Sequence, residues 1–100
     1  MAILDVTEYA SLALDAQGRQ ILVGKEPAIL TQQVAIGGGS TQSTAFQGHT
    51  KFVRLHADAA CRVAIGPNPT AASTSMRMAA NQTEYLGVNG GEKIAVITTT

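Results

Sequence analysis

The stretch FVRLHADAACRVAIG, residues 52–66, contains two runs of alternating apolar and polar residues separated by Asp58-Ala59-Ala60. Side chains alternate between the two faces of a strand, so each run is typical of a β-strand with one buried face. If the three separating residues form a turn, the two strands pair as an antiparallel hairpin. The apolar face then comprises Val53, Leu55, Ala57, Cys61, Val63 and Ile65, and the opposite face carries Arg54, His56 and Arg62. The predicted cross-strand pairs include His56 with Arg62 and Phe52 with Gly66.

The same stretch contains residue types used in catalysis and in metal binding, namely His56, Asp58 and Cys61. In the predicted register His56 and Cys61 point to opposite faces, so they cannot share a metal or form a thiolate–imidazole pair. A lone cysteine among Val and Ile usually behaves as a small buried hydrophobe. Asp is a favoured first residue of a turn, because its carboxylate bonds nearby backbone amides. We therefore predict ordinary structure here rather than a catalytic or metal site.

Alternation and turn residues also dominate the rest of the chain. SLALDAQGRQILVG, residues 11–24, predicts a hairpin that turns at Asp15–Gly18, although residues 7–13 also fit a short helix with Thr7 as its N-cap. Further strands are predicted at STAF (43–46) and SMRM (75–78), and Asn89-Gly90 predicts a hairpin between TEYLGV and EKIAVIT. We expect an all-β fold: an antiparallel β-sandwich or jelly roll of about eight short strands, forming a single domain over residues 1–100.

Composition narrows the classes of function. Only 14% of the residues are charged, about half the usual share, and a surface poor in charge favours permanent association. Seven basic residues balance seven acidic ones, so we expect no nucleic-acid or membrane partner. A single cysteine excludes an internal disulfide and favours assembly in a reducing cytoplasm. The N-terminal residues lack the basic and apolar regions of a signal peptide, and no apolar run approaches the ~20 residues of a transmembrane helix.

Residues suited to catalysis are sparse. Zinc needs three or four converging ligands, and the chain has two histidines and one cysteine. The triple glycine at Gly37–Gly39 lacks the following helix and the Lys of a phosphate-binding loop. Glu8, Glu26, Glu84 and Glu92 are spread over separate segments. We predict that the chain is not an enzyme and has no catalytic residue, cofactor or metal.

Several segments together resemble a known group of proteins. They are Glu26-Pro27, QQVAIGGGSTQSTAF (32–46), TKFVRLHADAACRVAIGPNPTA (50–71) and NQTEYLGVNGGEKIAVI (81–97). This spacing is similar to that of small structural proteins of tailed bacteriophages. The resemblance implies a β-sandwich component of the virion, assembled in the host cytoplasm and located on the capsid surface. Its expected role is that of a capsid decoration (cement) protein that binds the major capsid protein, with itself as a second partner in a homo-oligomer.

Other locations and functions stay open. The resemblance also fits a head–tail connector or a tail-region structural protein. A glycan- or receptor-binding module is a further alternative, for which the aromatic residues are Tyr9, Phe46, Phe52 and Tyr85.

Three segments are the predicted partner contacts. Residues 1–8 form either an N-terminal arm that adds a strand to a neighbour or the first strand of the sandwich. The Gly37–Ser40 and Pro67–Thr70 loops are the other two. The predicted contact residues are Ile3, Leu4, Val6, Gly38, Gly39, Ser40, Pro67, Asn68 and Pro69.

Overall fold

The computed structural model describes residues 2–99, except for the side chains of Leu22 and Val23. Within that range the chain forms ten short β-strands and no helix, which confirms the all-β prediction. The alternative helix beginning at Thr7 is wrong, because this residue lies inside the first strand. The strands are β1 (Ile3–Tyr9), β2 (Leu12–Leu14), β3 (Gln20–Gly24), β4 (Leu30–Ala35), β5 (Thr41–Gln42), β6 (Phe52–Ala57), β7 (Cys61–Gly66), β8 (Met76–Met78), β9 (Thr83–Gly87) and β10 (Lys93–Thr98).

Eight of these strands form two antiparallel sheets. Sheet I has the order β4-β1-β6-β9, sheet II has the order β5-β10-β7-β8, and β2 pairs only with β3. Buried side chains of both large sheets belong to one hydrophobic core, and the burial of this apolar surface is the main stabilising contribution. The core residues are Leu4, Val6, Val34, Ile36, Phe46, Val53, Leu55, Ala57, Cys61, Val63, Met78, Val88, Ile94 and Val96.

The hairpin predicted from residues 52–66 is wrong, because β6 and β7 belong to different sheets. β6 lies between β1 and β9, whereas β7 lies between β10 and β8. Asp58–Ala60 therefore carries the chain from one sheet to the other. In sheet I, His56 lies opposite Asp5 and Thr83, and Phe52 lies opposite Tyr9 and Gly87. Neither Arg62 nor Gly66 is a partner of these residues.

The predicted alternation in the same stretch is nevertheless confirmed. Val53, Leu55, Ala57 and Cys61 are completely buried, and Arg54 and His56 are half-buried on the outer face of sheet I. A strand needs an apolar face to cover the core whether the next strand of the chain pairs with it or belongs to the other sheet. The pattern therefore predicts burial correctly and says nothing about which strands pair.

The closing hairpin fails for the same reason. β9 lies in sheet I and β10 in sheet II, so the two strands around Asn89-Gly90 do not pair. The turn itself is present: the Glu92 amide donates to the Asn89 carbonyl at 3.2 Å, and the Asn89 amide donates to the Glu92 carboxylate at 3.0 Å. Gly91 adopts a positive φ of 87°, a conformation that favours glycine.

The β2–β3 hairpin is confirmed as predicted. The Asp15 carboxylate accepts hydrogen bonds from the amides of Gln17 and Arg19, both at 2.9 Å, and Gly18 supplies the positive φ of the turn. These bonds, the one from the Arg19 amide above all, lower the pKa of Asp15. This turn was recognisable in the sequence because all of its contacts lie within five consecutive residues.

The N-terminal run is a strand inside a sheet rather than an arm. β1 pairs along its length with β4 on one side and β6 on the other. Leu4 and Val6 are completely buried in the core. Of the two interpretations of residues 1–8, the first strand of the fold is therefore correct for residues 3–8, and Met1 lies outside the described residues.

The segment between β5 and β6 is irregular, so the predicted strand over residues 43–46 is wrong. The Ser43 amide donates to the Ile94 carbonyl, and the Phe46 amide donates to the Glu92 carbonyl, both at 2.7 Å. These bonds attach the segment to β10 of sheet II and to the turn that precedes β10. The Phe46 side chain enters the common core. The backbone of residues 43–46 thus forms single hydrogen bonds along an irregular path, and it does not form the regular ladder of a strand.

The backbone of the segment between β5 and β6 closely contacts the backbone of the turn before β10. A Cβ atom added to Gly90 would overlap the backbone of Gly48, whereas one added to Gly39 would meet open space. We expect Gly90→Ala to lower the free energy of unfolding by about 1–3 kcal/mol, because the two backbones must separate. Gly39→Ala serves as the control and should change stability by less than about 1 kcal/mol. Urea denaturation of both variants measures the difference, and equal stabilities would contradict the contact.

Candidate functional site

The three residues His56, Asp58 and Cys61 do not form a site. The His56 Nδ1 atom lies 2.9 Å from the Thr83 hydroxyl on the outer face of sheet I. Asp58 accepts a hydrogen bond at 2.7 Å from the Ile3 amide, which ties the start of β1 to the crossing between sheets. Cys61 lies in the core. His56 and Asp58 therefore each have a hydrogen-bond partner outside the trio. His56 and Cys61 lie on opposite faces of their strands, as the alternation predicted.

Cys61 is a buried free thiol. Burial raises its pKa, and the nearby Asp58 carboxylate contributes in the same direction. A thiol with a raised pKa is a poor nucleophile, because the thiolate is the reactive form. Its structural role is to fill space in the hydrophobic core.

The four glutamates named in the sequence also take separate structural roles. Glu26 accepts a hydrogen bond from the Tyr9 hydroxyl at 2.7 Å, and Glu92 caps its own turn. Glu84 is hydrogen-bonded to the neighbouring Gln82 side chain. No group of three or more His, Cys, Asp or Glu side chains suited to a metal occurs among residues 2–99.

Glu8 is a buried carboxylate that sequence reasoning missed. It is completely buried, and its Oε1 atom accepts hydrogen bonds from the Gln47 amide at 2.9 Å and the Thr50 hydroxyl at 2.8 Å. The Gln32 side-chain amide donates to the other oxygen at 3.3 Å. A buried carboxylate needs such partners to offset the loss of water. Its place in the alternation of β1, two residues after the buried Val6, was the available signal.

The structure brings two of the predicted contact loops together. The Gln42 side-chain amide donates to the Asn68 side chain at 2.9 Å and to the Pro69 carbonyl at 2.7 Å. The Ser40 hydroxyl accepts a bond from the Ala71 amide at 2.9 Å. The loops around Gly38–Ser40 and Pro67–Pro69 thus form one surface at the β5 side of sheet II.

The exposure of the predicted contact residues differs among them. Gly38, Gly39, Ser40, Pro67 and Asn68 are exposed, and Pro69 is buried. In the N-terminal strand Ile3 is half-buried, while the side chains of Leu4 and Val6 offer no surface in this fold. The joined loops are consequently the more accessible part of the predicted set.

A line of aromatic rings crosses the outer face of sheet I. Tyr9 stacks on Phe52 with ring centroids 5.3 Å apart, and Phe52 contacts Tyr85 at 6.2 Å. Tyr9 is almost fully buried, because Gly24 of the β2–β3 hairpin lies directly against its ring. Tyr85, at the other end of the line, is 44% exposed. The alternation of β1, β6 and β9 places these residues on one face, but only strand pairing makes them neighbours.

The β2–β3 hairpin carries apolar side chains outside the core. Leu14 is 57% exposed and Ile21 is 40% exposed. Gly24 of the hairpin lies against the Tyr9 ring of sheet I. A bond from the Lys25 amide to the Ser11 carbonyl at 3.1 Å joins the two arms of the hairpin at its base. Leu14 and Ile21 thus depart from the simple rule that apolar side chains are buried.

The surface described by residues 2–99 contains no detected pocket. Residues 2–99 form no helix, and hence none that could span a membrane. No known protein family, no curated protein and no solved structure matches the chain.

The burial of Cys61 generates a prediction about thiol chemistry and stability. We expect Cys61→Ser to lower the free energy of unfolding by about 1–3 kcal/mol, because it places a hydroxyl among apolar side chains. The native thiol should react with a disulfide reagent only as fast as the protein opens. Cys61→Ala is the control, since it leaves no buried polar group and should cost less than the serine variant. Rapid labelling under native conditions would contradict the burial.

Tyr9 generates a prediction about high pH. Burial first, and then the hydrogen bond to Glu26, raise the pKa of Tyr9 from 10.0 to about 12. Between these values the unfolded state has lost the phenol proton and the native state retains it, so the stabilising contribution present below pH 10 is lost as pH rises through 12. The free energy of unfolding should therefore fall less steeply over this range in Tyr9→Phe than in the wild type. Parallel slopes from denaturation at each pH would refute the assignment.

Proposed function

We propose that this chain is a non-enzymatic capsid decoration protein of a tailed bacteriophage, which binds the major capsid protein and stabilises its lattice. The resemblance of its segments to small phage structural proteins and its low charge support this proposal. The observation that carries it is the β2–β3 hairpin, whose apolar side chains lie outside the core.

The hairpin has a physical reason to meet another molecule. A two-stranded hairpin alone is only marginally stable in water and usually needs a packed face. Leu14 and Ile21 are more than one third exposed, and the hairpin pairs with neither large sheet. Burying apolar surface contributes roughly 25 cal/mol per Å² of apolar area. A capsid surface that covers these side chains would stabilise both the hairpin and the joint between capsid subunits.

The joined loops offer a second contact region. Gly38–Ser40 and Pro67–Asn68 are exposed and contain no charged side chain. The cores of protein interfaces are depleted of charged residues, so this surface suits contact with protein. Two separate contact regions on one small protein fit a role in bridging neighbouring subunits of a lattice.

The hairpin should therefore be required for binding to capsids. We expect Leu14→Ser with Ile21→Ser to weaken binding to particles that lack this protein by at least about tenfold, the factor that about 1.4 kcal/mol represents. Met76→Ser is the matched control, because Met76 is 40% exposed like Ile21 but lies on β8. Co-sedimentation of each variant with particles measures binding, and thermal unfolding checks the fold. Equal binding by all variants would remove the hairpin from the interface.

Imaging of the intact virion tests the location. Density of this protein in fixed ratio to capsid subunits across the head supports the decoration role. Six or twelve copies at the neck or tail would assign it instead to a connector or tail position, and its absence from purified virions would end the proposal.

A further inference from the structure

We infer that β9 is a self-pairing edge, through which two copies of this chain join their sheets I into one antiparallel sheet. This inference is independent of the virion role, because it concerns the purified protein alone. It rests on the hydrogen bonds, side chains and symmetry of the edge strand Thr83–Gly87.

The hydrogen-bond pattern shows which backbone groups of β9 are free. The Val88 amide donates to the Lys51 carbonyl at 3.0 Å, and the Ala57 amide donates to the Gln82 carbonyl at 3.3 Å. In an antiparallel ladder such hydrogen-bonded pairs alternate, so the even-numbered residues of β9 bond to β6. The N–H and C=O groups of Thr83, Tyr85 and Gly87 then point away from β6, toward the open edge of the sheet. β9 is the last strand of sheet I in the described part of the chain.

The two edges of sheet I differ in their surroundings. Beside β4 runs the irregular segment after β5, which the Gln32 side chain holds by accepting bonds from the Thr44 amide at 3.1 Å and its hydroxyl at 2.9 Å. β9 carries Tyr85, the one aromatic side chain among the exposed large hydrophobic residues of the described chain. An unprotected edge with an exposed aromatic side chain is a template for pairing with another strand.

The edge is complementary to itself. Thr83 and Gly87 lie two residues before and after Tyr85, so an antiparallel copy centred on Tyr85 aligns every outward backbone group with a partner. Each hydrogen-bonded pair exchanges two N–H···O bonds. Such an isologous contact closes on itself as a dimer and does not propagate into fibres.

The side chains are compatible with this register. The two Tyr85 rings become cross-strand neighbours, and aromatic pairs of this kind stabilise a sheet. Glu84 lies opposite Leu86 of the second copy, so the two Glu84 carboxylates do not face each other. Like charges directly opposite each other would be destabilising. A second copy of this chain is therefore sufficient to bond the outward N–H and C=O groups of β9.

The interface is short, and we therefore expect a dimer whose population rises with protein concentration. A stable dimer usually buries at least about 1,000 Å² in total, and β9 has only five residues. Sedimentation equilibrium over a range of concentrations measures the dissociation constant.

The alternation of bonds in β9 allows a selective variant. Tyr85→Pro removes an N–H that the β6–β9 ladder does not use, and proline is tolerated on an edge strand when its nitrogen faces outward. We expect this variant to remain folded and to raise the dissociation constant at least about tenfold. Tyr85→Phe, which keeps both the N–H and the ring, should dimerise like the wild type.

Amide hydrogen exchange identifies the pairing itself. The amides of Thr83, Tyr85 and Gly87 should exchange rapidly in dilute protein and become protected at high concentration, whereas those of Glu84 and Leu86 are protected in both. A protein that stays monomeric at its highest soluble concentration would overturn the inference. So would a dimer that leaves the odd-numbered amides unprotected, or one that Tyr85→Pro does not weaken.

Discussion

The irregular segment between β5 and β6 depends on the buried carboxylate of Glu8 for its attachment to sheet I. A carboxylate removed from water is destabilising unless hydrogen-bond donors replace the water, and here Gln47, Thr50 and Gln32 supply them. The donors from residues 47 and 50 belong to the irregular segment between β5 and β6. The other end of that segment is bonded to sheet II through Ser43. One polar network on the inner side of β1 thus holds one of the connections between the two sheets.

The consequence is an asymmetry between the two sides of the fold. On the side of β4 and β5, the irregular segment is bound to both sheets by side-chain and backbone hydrogen bonds. On the other side, β8 and β9 are sheet edges that carry the exposed side chains of Met76 and Tyr85. The β2–β3 hairpin adds a third exposed apolar region. A small protein with little charge and with exposed apolar side chains on the hairpin and on β9 is suited to assembly.

How much of the fold the sequence predicts varies with the range of the contacts. The β2–β3 turn depends on Asp15 and Gly18 and was predicted correctly, because its bonds lie within a few residues. The burial of Val53, Leu55 and Cys61 was also predicted, because alternation reports a face. The hairpins at Asp58 and Asn89 were wrong, since a tight turn between apolar strands serves equally well to cross from one sheet to the other. Each of the two contact loops was predicted from the sequence. The hydrogen bonds of Gln42 that bring the two loops together were not predicted.

By itself the sequence determined the all-β class, the inward and outward faces of the strands, and the separation of His56 from Cys61. These properties follow from the two-residue period of a strand and from the cost of burying polar groups, both of which act locally. Only the tertiary structure decided that β6 pairs with β1 and β9, that Glu8 meets Gln47 and Thr50, and that Tyr9, Phe52 and Tyr85 form one line of rings. Strand pairing joins residues far apart in the chain, and alternation is compatible with many such pairings. The choice among them is therefore made by packing the whole core, which no single segment encodes.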